Sequence, residues 1–244
     1  MSDAASIREH TAAVRARIAA ACARAGRDAS EVTLVAVTKV FPAGDVEAAI
    51  AAGVTDVGEN RVQEARDKKP LVHGGARWHL IGHLQSNKAK DAVRLFDVIQ
   101  TVDSLDLGQK IARAAEAAGK RQEILLQVNI GNEEQKSGAE RAAVPALVKA
   151  LRAVDALDLR GLMAIPPAGA PEETRRYFRE LRALRDSVGV EQLSMGMSED
   201  FEVAVEEGAT IVRVGRAIFG SRPVQDPRPA SRGEGGAPAP GEGR

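Results

Sequence analysis

Aromatic side chains make up only 3% of the 244 residues: five Phe, one Trp and one Tyr. The core must therefore be filled by Ala, Val, Leu and Ile, and a platform for stacking the bases of a single strand has too few rings to form. There is one cysteine, Cys22. It excludes an internal disulfide and suits a reducing compartment, so the cytoplasm is the expected location. An excess of one charge is also lacking, because 34 basic side chains balance 34 acidic ones. That disfavours nucleic acid as a partner, since non-specific binding to it needs surplus Lys and Arg. No run of 18 apolar residues offers to span a bilayer, so no membrane association is expected. The start, MSDAASIREH, lacks the apolar stretch of a secretory signal. What is present is ordinary globular composition, 44% apolar and 28% charged.

Residues 3 to about 25 read as a leading helix, with Val14, Ile18, Ala21 and Cys22 at helical spacing and Gly26 placed to end it. A repeating pattern follows, of short Val- and Ile-rich runs alternating with helical stretches. The expected strands are 32–38, 54–58, 77–81, 97–102, 123–129, 157–163, 191–195 and 211–215. Strands separated by helices pair in parallel, because a parallel crossover needs a dozen or so residues. Eight such units predict an α/β fold, a single (β/α)8 barrel with an extra N-terminal helix, over residues 1–222. An open doubly wound sheet is the weaker alternative: no G-x-G-x-x-G and no G-x-x-x-x-G-K-S/T follows a strand. Residues 223–244, PVQDPRPASRGEGGAPAPGEGR, have no apolar period and are expected to be a disordered Pro- and Gly-rich tail.

Working groups in such a barrel sit at the C-terminal strand ends. Lys39 follows VTLVAVT, so its stem should enter the barrel mouth, where desolvation favours the neutral amine that Schiff-base chemistry requires. The plain alternatives are a lysine reaching water or one paired with Glu59. Loops after the seventh and eighth strands are the habitual phosphate site of these barrels. Here they hold Met197 and Ser198, the latter a candidate helix N-cap, and Gly215 and Arg216, a bare backbone beside a cation. Together they describe a phosphate grip facing an amine; the plain alternative is simple helix capping. Asn60 either positions a ligand or caps the helix at Arg61. His79 and His83 lie across a strand end and not on one helix face, so core or pocket-wall roles outweigh a zinc site. Lys136, in GNEEQKSG, reads as a solvated loop lysine.

Seven blocks carry a family resemblance: VTLVAVTK ending at Lys39, GENRVQEA from Gly58, WHLIGHLQSNKAK from Trp78, QTVDSLDL from Gln100, GLMAIPP from Gly161, SMGMSEDFEVAVEEGAT from Ser194 and VRVGRAIFG from Val212. In this order, over about residues 5–222, the chain resembles the pyridoxal phosphate homeostasis proteins. Their barrel is similar to the N-terminal domain of fold-type III enzymes such as bacterial alanine racemase. The resemblance implies pyridoxal 5′-phosphate (PLP) as cofactor, held as a covalent aldimine on Lys39. It implies a phosphate site at Met197, Ser198, Gly215 and Arg216, with Asn60 and the strand end at Met163 lining the ring. Arg216 has two roles open to it, on the phosphate or facing the pyridine nitrogen, where it would make the cofactor a poorer electron sink. Two departures stand out. Many relatives read K-x-K-P where this chain has Lys39-Val40-Phe41-Pro42, and many have Tyr at the position of Arg61. Lys136 matches a lysine of the family.

The implied function is intracellular PLP homeostasis: reversible binding, buffering and delivery to PLP-dependent apoenzymes, by a monomer without catalytic activity of its own. The alternative is a PLP enzyme such as an amino-acid racemase. Racemisation needs an acid/base on each face of the intermediate. In the resembling racemases a tyrosine of a C-terminal β-domain supplies the second. That domain is expected to be absent here, and Tyr177 falls in a predicted outer helix. An aldolase using the same lysine without cofactor is a third reading, which the resemblance does not support.

Overall fold

The apolar run after Val32 becomes the first strand, β1 (Thr33–Val37), and the same pattern recurs seven times in the computed structural model. The structure describes residues 3–133 and 135–221, so the tail expected at 223–244 lies outside the described residues. The further strands are β2 (Asp56–Glu59), β3 (Arg77–Leu80), β4 (Val98–Val102), β5 (Gln122–Val128), β6 (Leu157–Ala164), β7 (Gln192–Ser194) and β8 (Ile211–Val214). All neighbours pair in parallel, and β1 pairs with β8, for example Thr33 beside Ile211, so the sheet closes into a barrel in sequence order. Closure removes sheet edges and their unpaired backbone groups.

The helices are α1 (Ala4–Arg24), α2 (Ala43–Ala51), α3 (Val62–Lys68), α4 (Ala89–Leu95), α5 (Leu105–Ala117), α6 (Val144–Arg152), α7 (Pro171–Val188), α8 (Phe201–Glu206) and the four-residue α9 (Arg216–Phe219). The "extra" leading helix has a structural task. Among the described residues only the short α9 follows β8, and α1 fills that place in the outer ring, lying against α2, α8 and α9. Its buried stripe of Ile7, Val14, Ile18, Ala21 and Cys22 makes the contact, so Cys22 is a small core hydrophobe.

Between strands and helices runs one large apolar core, in which Phe96, Phe178 and Phe201 are among the largest fully buried side chains. Inside the barrel the apolar layer is small: Val35, Leu125, Met163 and Ile211. The rest of the interior includes buried polar groups that must find partners there.

Candidate functional site

The C-terminal strand ends enclose a cavity of about 440 Å³, within the roughly 300–1,000 Å³ of small-molecule sites. Lys39, Asn60, Lys136, Met197, Ser198, Gly215 and Arg216 line it, together with Arg213. Residues up to 177 positions apart in the chain thus meet because parallel strands all end at one rim.

Lys39 is half-buried in the turn that leaves β1. Glu59, open to Lys39 as a partner in sequence, pairs with Lys68, whose ammonium donates to Glu59 Oε1 at 2.6 Å. Glu59 is fully buried at the end of β2. Burial pushes its carboxyl up, with Lys68 and the Thr38 hydroxyl opposing.

Ser198 does not cap α8. That helix begins at Phe201, and its N-cap Asp200 makes no side-chain cap bond. The Asp200 carboxylate instead accepts from the Met197 amide at 2.7 Å. Ser198 Oγ reaches across to the next loop, accepting from the amides of Gly215 (3.3 Å) and Ala217 (3.4 Å). The two loops are therefore tied into one wall. Gly196, at φ 90°, permits this turn; a Cβ there would stand 2.5 Å from Ala204 Cβ. At Gly215 a Cβ would meet the Val37 carbonyl oxygen at 3.3 Å, so the bare backbone lets this loop approach β1.

Of the two arginines here, sequence reading singled out Arg216, and the structure puts it on the rim. Its side chain is 66% exposed and pairs with Glu199 at 2.9 Å. The buried cation of the cavity is Arg213, 3% exposed. It was detectable as an arginine inside the apolar run IVRVG, on the same strand face as Ile211, which belongs to the interior cluster. Burial pushes its guanidinium down to about 10, with Asp200 acting the other way, so it stays charged at neutral pH. Behind it runs a chain through the barrel. Arg213 donates to Ser194 Oγ (2.6 Å) and the Ala164 carbonyl (2.9 Å), Ser194 meets Gln100 at 2.6 Å, Gln100 meets His79 at 2.9 Å, and His79 meets Asp56 at 2.8 Å. Ser194 and Gln100 sit on the non-adjacent strands β7 and β4, so this bond crosses the interior.

Asn60 lines the cavity, and the N-cap of α3 is Arg61 without a side-chain cap bond. Met163 is placed differently from the sequence expectation. It is fully buried one layer below, and Ile165, two residues on, takes the wall position. The reason is that β6 continues to Ala164, so the period-two alternation brings the next inward side chain to the rim. Lys136 is not a solvated loop lysine but part of the wall, donating to the Pro166 carbonyl at 3.2 Å and paired with Glu133. His79 faces the interior, whereas His83 lies near Ser137 at the rim. Tyr177 is on α7, its hydroxyl accepting from Arg176, away from the cavity wall.

Fold and site together define a parallel (β/α)8 barrel whose C-terminal rim holds an amine, a buried guanidinium and a hydroxyl-bearing double loop around one small-molecule cavity. The family model of the alanine racemase N-terminal domain matches residues 10–223. The pyridoxal phosphate homeostasis protein of Pseudomonas aeruginosa is 43% identical over 220 residues, 88% of this chain and 96% of that protein. The Escherichia coli K12 protein of the same name is 39% identical over 231 residues, covering 88% and 97%. PipY of Synechococcus elongatus, solved with PLP bound, superposes with a TM-score of 0.77 at 37% identity, over 88% of this chain and 100% of that one. The chain belongs to the family of pyridoxal phosphate homeostasis proteins, with the barrel of the alanine racemase N-terminal domain.

Proposed function

We propose that this protein binds PLP reversibly through a Schiff base at Lys39 and serves intracellular PLP homeostasis, buffering the cofactor and delivering it to apoenzymes. The observation that carries the reading is the meeting of Lys39 and Arg213 in one cavity walled by the Ser198 and Gly215 loops. The donor set fits the group. Lys39 supplies the amine, which condenses with an aldehyde by releasing water and is returned by hydrolysis. Ser198, the backbone at Gly215 and the rim cation Arg216 suit a phosphate dianion. Arg213 is the cation held for the ring nitrogen, a role open to Arg216 in sequence. As a guanidinium it keeps its protons, so it leaves that nitrogen unprotonated. Bound PLP supplies an electron sink, and a partner of this kind weakens it. Asn60 and Ile165, which line the cavity, would flank the ring.

We place the protein in the cytoplasm as a monomer, on the single buried thiol and on a barrel that closes without a partner's residues. No helix among the described residues is long and apolar enough to cross a membrane. The second reading, catalysis such as racemisation, has one observation in its favour: Lys136 brings another amine to the same cavity.

Borohydride reduction of the PLP-loaded protein, followed by peptide mapping, tests the reading. The label is expected on Lys39 and is lost in Lys39→Ala; a label elsewhere, or none in wild type, overturns it. Mixing loaded protein with an apoenzyme and a trap for free PLP tests delivery: activation that vanishes with the trap leaves only release into solution. Steady stereoinversion of an amino acid, lost in Lys39→Ala, would establish the catalytic reading instead.

A further inference from the structure

Lys39 occupies a turn that its own sequence does not favour. The Phe41 amide donates to the Thr38 carbonyl at 3.1 Å, closing a four-residue turn across Lys39 and Val40. Lys39 keeps a negative φ while Val40 has φ 64°. That is the pattern of a type II turn, whose third position calls for Gly or Asn. Val is β-branched, and its left-handed backbone is a strained outlier that persists only where the surroundings over-determine it. Val40 is also 37% exposed, so burial of its side chain does not explain the conformation.

What surrounds the turn is a three-residue ion cluster between β2 and α3. The Lys68 ammonium is almost wholly buried, and all three of its protons have acceptors. These are the Thr38 carbonyl at 2.8 Å, Glu59 Oε1 at 2.6 Å and Glu64 Oε1 at 3.0 Å. Glu64 Oε1 accepts in addition from the Val40 amide at 2.5 Å. The Thr38 hydroxyl donates to Glu59 Oε1 at 2.6 Å. The cluster therefore grips the backbone on both sides of Lys39, at the carbonyl before it and the amide after it. Beyond the turn, Phe41 stacks on Phe219 of α9 with ring centroids 4.8 Å apart, which pins the far end to the short helix that begins at Arg216.

We propose that Lys68, with Glu64 and Glu59, is a positioning clamp that imposes the strained turn at Val40 and so aims the Lys39 amine into the cavity. A lysine buried at this depth is costly unless paired. Here the charge also organises two backbone groups that no regular element would hold. The clamp acts through Lys39 and so rests on the reading of Lys39 as the Schiff-base residue.

The experiment is the rate at which PLP labels Lys39, read by borohydride trapping, with thermal unfolding recorded on the same samples. Lys68→Met is expected to slow labelling by roughly tenfold or more, as displacement of a reacting group does. Glu64→Ala, at a less buried position, is the companion should Lys68→Met fail to fold; it is expected to slow labelling in the same direction. The decisive arm is Val40→Gly as background, because glycine adopts a positive φ without strain. There the loss caused by Glu64→Ala or Lys68→Met should shrink by about threefold or more, the coupling of residues in contact. Equal losses in both backgrounds, or unchanged labelling rates in both folded single variants, overturn the clamp. Absence of label on wild-type Lys39 removes the Schiff-base reading itself, so the two failures are distinguishable.

Discussion

The Arg213 guanidinium donates to the Ser194 hydroxyl at 2.6 Å, and this one bond directs every proton in the chain behind it. Arginine can only donate. The Ser194 proton must therefore go to Gln100 Oε1, which turns the Gln100 amide toward His79 Nδ1. His79 then accepts on Nδ1 and donates from Nε2 to Asp56. Burial pushes the Asp56 carboxyl up, but His79 and Thr55 outweigh it and hold the group below its ordinary range. A charge at the cavity is thus oriented by groups extending back to β2.

Gln100→Leu removes both an acceptor and a donor from the middle of this chain. Each buried group left unpaired should cost about 1–3 kcal/mol. Urea unfolding of the wild type and variant should show the drop as a lower midpoint at similar slope. A loss below about 0.5 kcal/mol would mean that the chain is not a stabilising unit.

The two arginines should separate by salt. Arg216 is exposed and paired with Glu199, and exposed pairs contribute only about 0–1 kcal/mol. Arg216→Ala should therefore weaken PLP binding less than tenfold, by an amount that fades as ionic strength rises. Arg213→Leu should weaken it at least tenfold at every salt concentration, since a buried cation is little screened. Equilibrium titration at low and high salt checks the contrast, and equal effects would refute it.

Gly196→Ala should damage fold and site together. The left-handed backbone costs an L-residue about 1–2 kcal/mol, and forcing a methyl against Ala204 and Phe201 adds about 1–3 kcal/mol. The expected result is a large fall in unfolding midpoint, with weaker PLP retention, because Met197 and Ser198 follow directly. A near-neutral effect would show that this turn can relax.

Acid sensitivity should trace to Arg175, which ties α7 to α8 through Glu206 and Glu207, each at 2.8 Å. Arg175 and Arg24 hold Glu206 below its ordinary value of 4.5. Glu207, raised by burial, is brought below it by Arg175 and Arg179. A carboxylate with a lowered folded pKa adds stability above its unfolded value, and that stability is lost as pH falls through the folded one. Arg175→Met should thus be destabilised near neutrality and converge with wild type below pH 4.5, measured by urea unfolding across pH. Parallel curves would assign the acid loss elsewhere.

The alternation of Val- and Ile-rich runs with helical stretches was enough to count eight strands, because each run had to be buried on both faces of a parallel sheet. It also located Lys39, Asn60, Ser198 and Gly215 on one rim, since every strand end in such a barrel points the same way. Less was legible where a side chain's partner lies far along the chain. Arg213 hides in an apolar run, Lys136 in a polar loop, and Lys68 on an ordinary-looking helix. Ile165 takes the wall position expected of Met163 because β6 runs one residue further, to Ala164, and the alternation brings the next inward side chain to the rim.

By itself, then, the sequence determined the barrel, its order of elements, and the lysine and loops that meet at one cavity. Local pattern and backbone sterics suffice for those. Only the tertiary structure decided which arginine is buried and which pairs at the surface, what Glu59 binds, and how a valine comes to hold a left-handed turn beside Lys39. These depend on partners far apart in the chain, such as Ser194 and Gln100, 94 residues apart. Their energies come from desolvation and hydrogen-bond geometry inside the closed barrel, and neither exists until the chain has folded.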